Sequence, residues 1–491
     1  RPLQSRSNMF IPTAKLGDPS DLQCFYDRIL PNNSTVLNDY DSFTLRVRDI
    51  HLNLDDCRLD LSKDDPAICR RQSGYLRPVL RTGTERPRQP GLIENVLALI
   101  KRNFNAPHLL GTVDVDAMAD TVVDKFFKIF FPDGLDDCSN RLMSEESFND
   151  WAAQQLPSTL SKLEVFDHID LPAVDAYTHI IKRRPKIKLD DSICSSYPAL
   201  QTIVHHSKEI NAIFGPIFKE LTRAFLSRVD ATKFLFYTRK TPEDIEEFFS
   251  DLPSVDQTDV YELDISKYDK SQNELHCAVE YAVWKRLGFH GFLAKVWEQG
   301  HRRTVLRDFI AGIKAVIWFQ RKSGDVTTFI GNTIINAVAM STLLPLEKCV
   351  KAAFCGDDSV VYLPKGTVVG DIQTKANLQW NFEAKLFKKQ YGYFCGRFIL
   401  PHSTGCVVYP DVLKVIAKLG TKDVTDWTHL EELRVSMCDT YKQLGNSAYL
   451  DLLKVAMSEV YPSVVDLRFV VCTLWRYITD KVLFRSLFLD L

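Results

Sequence analysis

The 491 residues carry 61 Lys and Arg against 63 Asp and Glu, a formal charge of −2, with 45% hydrophobic and 25% charged side chains. That balance is ordinary for a globular protein and argues against a uniformly basic nucleic-acid binder; length allows two to four domains or one multi-lobed enzyme. The twelve cysteines contain no C-x-x-C pair, which argues against a zinc ribbon or a disulfide framework and for reduced thiols in a cytosolic protein.

In chain order, the alternating stretch "FTLRVRDIHLNL" (43–54) predicts an exposed antiparallel sheet within a mixed segment 1–85. "NNST" (32–35) fits a glycosylation pattern that a cytosolic chain would not use. After the Pro90-Gly91 break, Leu92, Val96, Leu99 and Ile100 recur at helical spacing. Helices are predicted over 118–131, 145–166 and 197–228. "KFLFYTRKT" (233–241) reads as a strand and turn, with Thr241 the N-cap of a helix opened by Pro242. "VYELDIS" (260–266) is a strand. The helix after it places Leu275, Val279, Ala282, Val283 and Leu287 on one face. A further helix covers 326–344, a hairpin 352–363, and mostly helix 410–491. No stretch is apolar for long enough to span a bilayer, and no signal peptide is visible. A chain opening on Arg1 instead of Met reads as a piece of a longer polypeptide.

Basic residues are clustered. Arg70, Arg71, Arg77, Arg81, Arg86, Arg88, Lys101 and Arg102 fall in one stretch, and "IIKRRPKIKLDD" (180–191) packs Lys182, Arg183, Arg184, Lys186 and Lys188 together. A neutral total with basic stripes suits a channel that meets a polyanion.

The chemistry gathers around acids. Asp264 ends a strand, Asp269 opens the next helix, and Asp357 and Asp358 sit at a hairpin tip. If the strands pair, Asp264 and Asp357 meet, and the repulsion calls for divalent cations. An all-carboxylate oxygen set suits Mg²⁺ or Mn²⁺, and two such ions serve in-line phosphoryl transfer. "SGDVTTFIGNT" (323–333) sets Thr328 and Asn332 one turn apart on a helix, within reach of a ribose hydroxyl. His276, Cys277 and Glu280 could be drawn as a zinc site, but their amphipathic helix favours packing; His205-His206 reads as structural.

Together these motifs resemble the RNA-dependent RNA polymerase domain of tobamovirus replicases, in the alphavirus-like class. "ELDISKYDKSQNE" is similar to motif A, "SGDVTTFIGNT" to motif B, "FCGDDS" to motif C, "NLQWNFEAKLF" to motif D, "YGYFCGRFI" to motif E and "KRRPKIKLD" to motif F. The resemblance covers nearly the whole chain. It implies an α+β right-hand polymerase with a small antiparallel palm sheet backed by two helices. The expected layout is an N-terminal extension (1–85) in contact with the fingers or an upstream helicase region, fingers (86–255 with 281–320), palm (256–280 and 321–392), and motif E with the thumb (393–491). It also implies that Asp264, Asp357 and Asp358 hold Mg²⁺, or Mn²⁺, with Asp358 as a second-metal or orienting carboxylate. Asp269, Ser323, Thr328 and Asn332 would select ribose. Lys385 would protonate pyrophosphate, the competing reading being a surface-helix lysine beside Lys388 and Lys389. Lys182, Arg183, Arg184, Lys186 and Lys188 would grip the triphosphate or RNA. Gly356 would be required by a tight turn with no room for a side chain. Implied partners are template and product RNA, nucleoside triphosphates, the helicase/methyltransferase replicase protein and host membrane proteins, in membrane-associated complexes of the host cytoplasm. A two-metal nuclease, a reverse transcriptase and a non-catalytic RNA-binding module are the rival readings.

Overall fold

The computed structural model describes residues 17–31, 58–61, 76–82, 88, 90–104, 106, 114–163, 173–186, 189, 199–422, 424–461, 464 and 467–490. The sheet predicted over 43–54, the "NNST" site and Lys188 lie outside these residues.

The centre is a five-stranded palm sheet. Its strands, in spatial order, are Ala384–Lys389, Thr258–Ile265, Asp358–Pro364, Lys351–Cys355 and Phe234–Phe236. All neighbours are antiparallel except the last, which pairs parallel with Lys351–Cys355. The sheet therefore recruits 234–236 from the segment predicted as fingers, and its edge is not antiparallel. Alternation in the central strands sends their side chains to two cores. Tyr261, Leu263, Ile265, Phe354, Val361 and Leu363 join the large cluster built on the helices Glu274–Arg286 and Thr328–Leu343. Val260, Ala353, Val360 and Tyr362 face the opposite cluster, with Ile245, Phe249, Phe394, Ile399 and Val408. Burial on both faces explains why these strands read as nearly unbroken apolar runs.

Several predicted helices are reshaped. The 197–228 region starts as a strand, Thr202–His205, because Thr202, Ile203 and Val204 are β-branched; the helix is Lys208–Arg228. The 145–166 region divides into Glu145–Ala152 and Pro157–Leu163, since Pro157 has no N–H with which to continue the first helix. Thr241 does cap Pro242–Phe248, in a reciprocal capping box with Asp244.

A second five-stranded sheet, drawn mostly from the segments expected as fingers, has the order Arg58–Leu61, Ile313–Trp318, Arg303–Asp308, Ala176–Ile181 and Thr202–His205. The motif E strands Gly392–Phe394 and Arg397–His402 continue into Gly405–Pro410 as a three-stranded sheet. Thumb helices follow. The N-terminal extension does more than approach the fingers. Arg58–Leu61 does enter the second sheet. The helix Pro19–Ile29, however, buries Leu22, Phe25, Tyr26 and Ile29 in the thumb core, and Leu76–Pro78 pairs with the C-terminal strand Phe488–Asp490. Among the described residues no helix is long and apolar enough to cross a membrane.

Candidate active site

Asp264 is the one exposed residue of the strand Thr258–Ile265. A strand that otherwise buries every side chain turns this carboxylate out at the end of the palm sheet. The adjoining strand's pairing with it ends at Val360 opposite Glu262, so the motif C turn lies at the same end. Asp357 occupies that turn and Asp358 opens the next strand, and both are exposed. The hairpin strands are buried and the two acids at their tip are not. Gly356 has φ +62°, and a Cβ there would meet no protein atom within 4 Å. The tight turn thus calls for glycine through its backbone conformation.

The two acids look in different directions. Asp357 raises the pKa of Tyr268 and of Asp269, both just past motif A, although desolvation is the larger cause for each. Asp358 makes itself felt at Glu262, Tyr393 and Cys395, on the motif E side. Its own pKa is raised, first by the protein packed around the carboxyl at the cleft floor and then by Asp357, while Lys414 and Lys186 act against the rise. The residue as a whole keeps solvent contact, so the effect is that of a concave floor. The motif F loop is therefore near enough for the Lys186 charge to act on Asp358. Lys182 and Arg183 are exposed on the same loop and Arg184 is half-buried. The Lys182 amide donates to the Gln201 carbonyl at 2.8 Å, and the Arg88 amide to the Arg183 carbonyl at 2.8 Å.

Among the described residues no three His, Cys, Asp or Glu side chains close into a ready-made metal cage. Asp264, Asp357 and Asp358 offer oxygen donors only, exposed at one end of the sheet, which is the donor chemistry of Mg²⁺ or Mn²⁺.

Lys385 lies on a strand, not a helix, directly across from Asp264; opposite residues share a face. Its rivals are occupied. Lys388 pairs with Asp259 at 3.0 Å and Lys389 with Glu262 at 2.5 Å.

Asp269 and Asn332 are brought together as expected. The Asn332 amide donates to Asp269 Oδ1 at 2.8 Å, and its carbonyl accepts from Gln272 Nε2 at 2.7 Å and Arg321 Nε at 2.9 Å. Arg321 is held in turn by Glu280 at 2.5 Å. Ser323 and Thr328 form no hydrogen bond with this pair among the described residues. The Ser323 hydroxyl donates to the Thr202 carbonyl at 2.8 Å, and that of Thr328 to the Lys322 carbonyl at 2.6 Å. They fasten the motif B loop to the fingers and to itself.

Sequence reasoning missed Gln272, Arg321, Thr333 and Asn336. Thr333 Oγ1 accepts the Gly356 amide at 2.9 Å, and Asn336 Nδ2 donates to the carbonyls of Gly356 at 3.1 Å and Asp358 at 3.3 Å. The motif B helix thus holds the motif C turn. A signal was available: the helix Thr328–Leu343 is buried almost all round, and a polar residue in such a helix needs a partner.

The zinc alternative fails here. His276 is fully buried, caps its own helix through Asn273, and burial pulls its pKa to about 3. Burial pushes Cys277 to about 11, and Glu280 serves Arg321 and Trp284. His206 donates or accepts at the Val174 carbonyl at 2.8 Å and stacks on Tyr177, a packing role as expected.

The family description "RNA dependent RNA polymerase" matches residues 47–487. The chain belongs to the RNA-dependent RNA polymerase family. This polymerase is 57% identical over 486 residues to the replicase large subunit of tobacco mosaic virus (strain Korean NC 82), 55% over 482 residues to that of turnip vein-clearing virus, and 56% over 485 residues to that of tomato mosaic virus (strain S-1). These alignments cover 98–99% of the polymerase chain and 30% of each relative, so the chain spans under a third of the length of the relatives it matches. A crystal structure of the RNA-dependent RNA polymerase of a human picorbirnavirus aligns at 13% identity and a TM-score of 0.49, over 82% of this chain and 84% of that one.

Proposed function

We propose that this polymerase copies a positive-strand RNA genome by joining an RNA 3′-OH to the α-phosphate of a templated nucleoside triphosphate, releasing pyrophosphate. The observation that carries the reading is the placement of Asp264 and the motif C acids at one sheet end, beside the Asp269–Asn332 pair. Asp264 and Asp357 would hold the divalent ions, with Asp358 as an orienting acid. When bound, Mg²⁺ or Mn²⁺ lowers the pKa of the attacking hydroxyl and screens the phosphate charge. The chain's own residues do the rest. Asp269 keeps one carboxylate oxygen, and Asn332 one N–H, for the ribose 2′-OH. Arg184, Lys186 and the neighbouring cations of the loop draw in the triphosphate. Lys385, across the ladder from Asp264 and without a salt bridge among the described residues, supplies a proton to the leaving pyrophosphate.

A two-metal nuclease would share the acids but has no use for the ribose pair or for Lys385. Association with a helicase-bearing replicase protein on host membranes belongs to the same proposal and is supported by the likeness to replicase large subunits. Primer extension in Mg²⁺ tests the reading. Labelled RNA is expected with rNTPs, little product with dNTPs, and none after Asp357→Ala; activity surviving that substitution refutes the metal assignment. In Asn332→Ala the preference for rNTPs over dNTPs should erode, and an unchanged ratio removes Asn332 from ribose selection.

A further inference from the structure

Asp325 is a buried acid of the motif B loop that the proposed chemistry leaves unused. It collects four hydrogen bonds. His301 Nε2 lies 2.7 Å and the Tyr177 hydroxyl 2.9 Å from its Oδ2, while the Thr327 amide and hydroxyl donate to Oδ1 at 2.9 and 3.2 Å. The other ring nitrogen of His301 is held by the Trp297 carbonyl at 2.8 Å. Burial by itself would raise the Asp325 pKa; His301, His206 and the Thr327 amide overcome it and hold the carboxyl far below the ordinary range.

Fastening the loop does not require such an acid. The Ser323 hydroxyl and the Gly324 amide already tie it to the Thr202 and Val204 carbonyls at 2.8 and 2.9 Å, without the cost of desolvating a charge. What Asp325 adds is reach. On one side, Tyr177 lies on the strand Ala176–Ile181, which runs directly into the cations Lys182, Arg183, Arg184 and Lys186. Stacking on His206 seats the Tyr177 ring. On the other side, Thr327 Oγ1 accepts from Arg321 Nη1 at 3.3 Å, Arg321 Nε donates to the Asn332 carbonyl at 2.9 Å, and the Asn332 amide donates to Asp269 at 2.8 Å. Every side chain on this path from Tyr177 to Asn332 is buried.

The path has little slack. The Arg321 guanidinium is a rigid plane, and its three nitrogens are committed to Asn332, Thr327 and Glu280. Gly331 leaves room for that plane, since a Cβ there would collide with Glu280 and with Arg321 Nη2. A shift of Thr327 therefore turns the group that fixes the Asn332 carbonyl. Packed polar networks of this kind carry coupling between sites.

We propose that Asp325 is a positioning residue that couples the triphosphate loop to the ribose pair: the strand bearing the loop must be seated, with Tyr177 on Asp325, for Asn332 to meet the 2′-OH. The inference rests on the polymerase reading and on Asn332 as the group that reads the ribose. Primer extension by the full chain on an RNA primer–template, with paired rNTP and dNTP, gives the ratio of their kcat/KM values. Tyr177→Phe removes one oxygen and leaves the His301–Asp325 bond, so the fold should hold in a melting-temperature check. It should lower the ratio about 3- to 10-fold, and Asp325→Asn should lower it at least as far. The decisive variant is Lys186→Gln. A loop cation that only attracts phosphate would weaken rNTP and dNTP alike. Under coupling, Lys186→Gln lowers the ratio in the otherwise native chain and leaves it unchanged when added to Tyr177→Phe. An unaltered ratio in Tyr177→Phe, or equal losses for rNTP and dNTP in Lys186→Gln, overturns the coupling. Asn332→Ala alone reports on the ribose reading: no change there, beside a lowered ratio in Tyr177→Phe, would count against Asn332 as the reader and leave the coupling standing.

Discussion

Thr333→Val isolates what holds the catalytic turn. Thr333 is 1% exposed, and its hydroxyl accepts the Gly356 amide at 2.9 Å while donating to the Phe329 carbonyl at 2.7 Å. Valine keeps the volume and removes the acceptor. The Gly356 N–H, in a turn already committed to φ +62°, loses its partner at a cost of about 1–3 kcal/mol. The two Asn336 bonds still hold the carbonyls of Gly356 and Asp358, so the turn should shift instead of opening. If that cost falls on the reacting geometry, kcat drops about 5- to 150-fold. Steady-state primer extension should show the loss in kcat with the KM for nucleotide little changed, because the ribose pair is intact. The rNTP/dNTP ratio should stay at its wild-type value, and Thr333→Ser should restore most of the rate. A kcat within about twofold of wild type, with a lowered melting temperature, would mean the bond stabilises the fold without aligning the acids.

In the pair proposed to read the ribose, Gln272→Met removes one of the two donors that fix the Asn332 carbonyl. The amide is then free to rotate, and discrimination against dNTPs should fall about 5- to 10-fold, equivalent to roughly 1 kcal/mol; competition assays with paired rNTP and dNTP check this, and an unaltered ratio leaves Gln272 a packing residue. Lys322 gives a pH prediction. It is fully buried, donates to the carbonyls of His301 at 2.9 Å and Phe319 at 2.7 Å, and burial lowers its pKa to about 8 from 10.5. Between those values the unfolded chain holds a proton that the folded chain does not, so stability should rise with pH across that window by about 3 kcal/mol. Denaturant titrations at stepped pH should show the rise in wild type and its loss in Lys322→Met; a parallel pair of curves would contradict it.

The parts of the site governed by local pattern were readable. A run of apolar residues ending in Asp264, and two short runs flanking Gly356-Asp357-Asp358, become a strand and a hairpin with little choice. Residue type alone was a poor guide to hydrogen-bond partners. Ser323 and Thr328 have the chemistry to meet a ribose, yet nearer backbone carbonyls claim their hydroxyls. Lys385, Lys388 and Lys389 are equivalent in sequence; only the strand register gives the last two to Asp259 and Glu262. The attachment of Leu76–Pro78 to Phe488–Asp490 was beyond reach, because pairing between opposite ends of a chain leaves no periodic trace in either partner.

The extension also acts as a leash. Thr82 is fastened to the thumb at Ala417, and Arg88 to the fingers loop at Arg183. Six residues of backbone reach at most about 20 Å, which caps how far those two anchors can part while both bonds last. Parting of thumb and fingers loop beyond that span requires one of the two bonds to break.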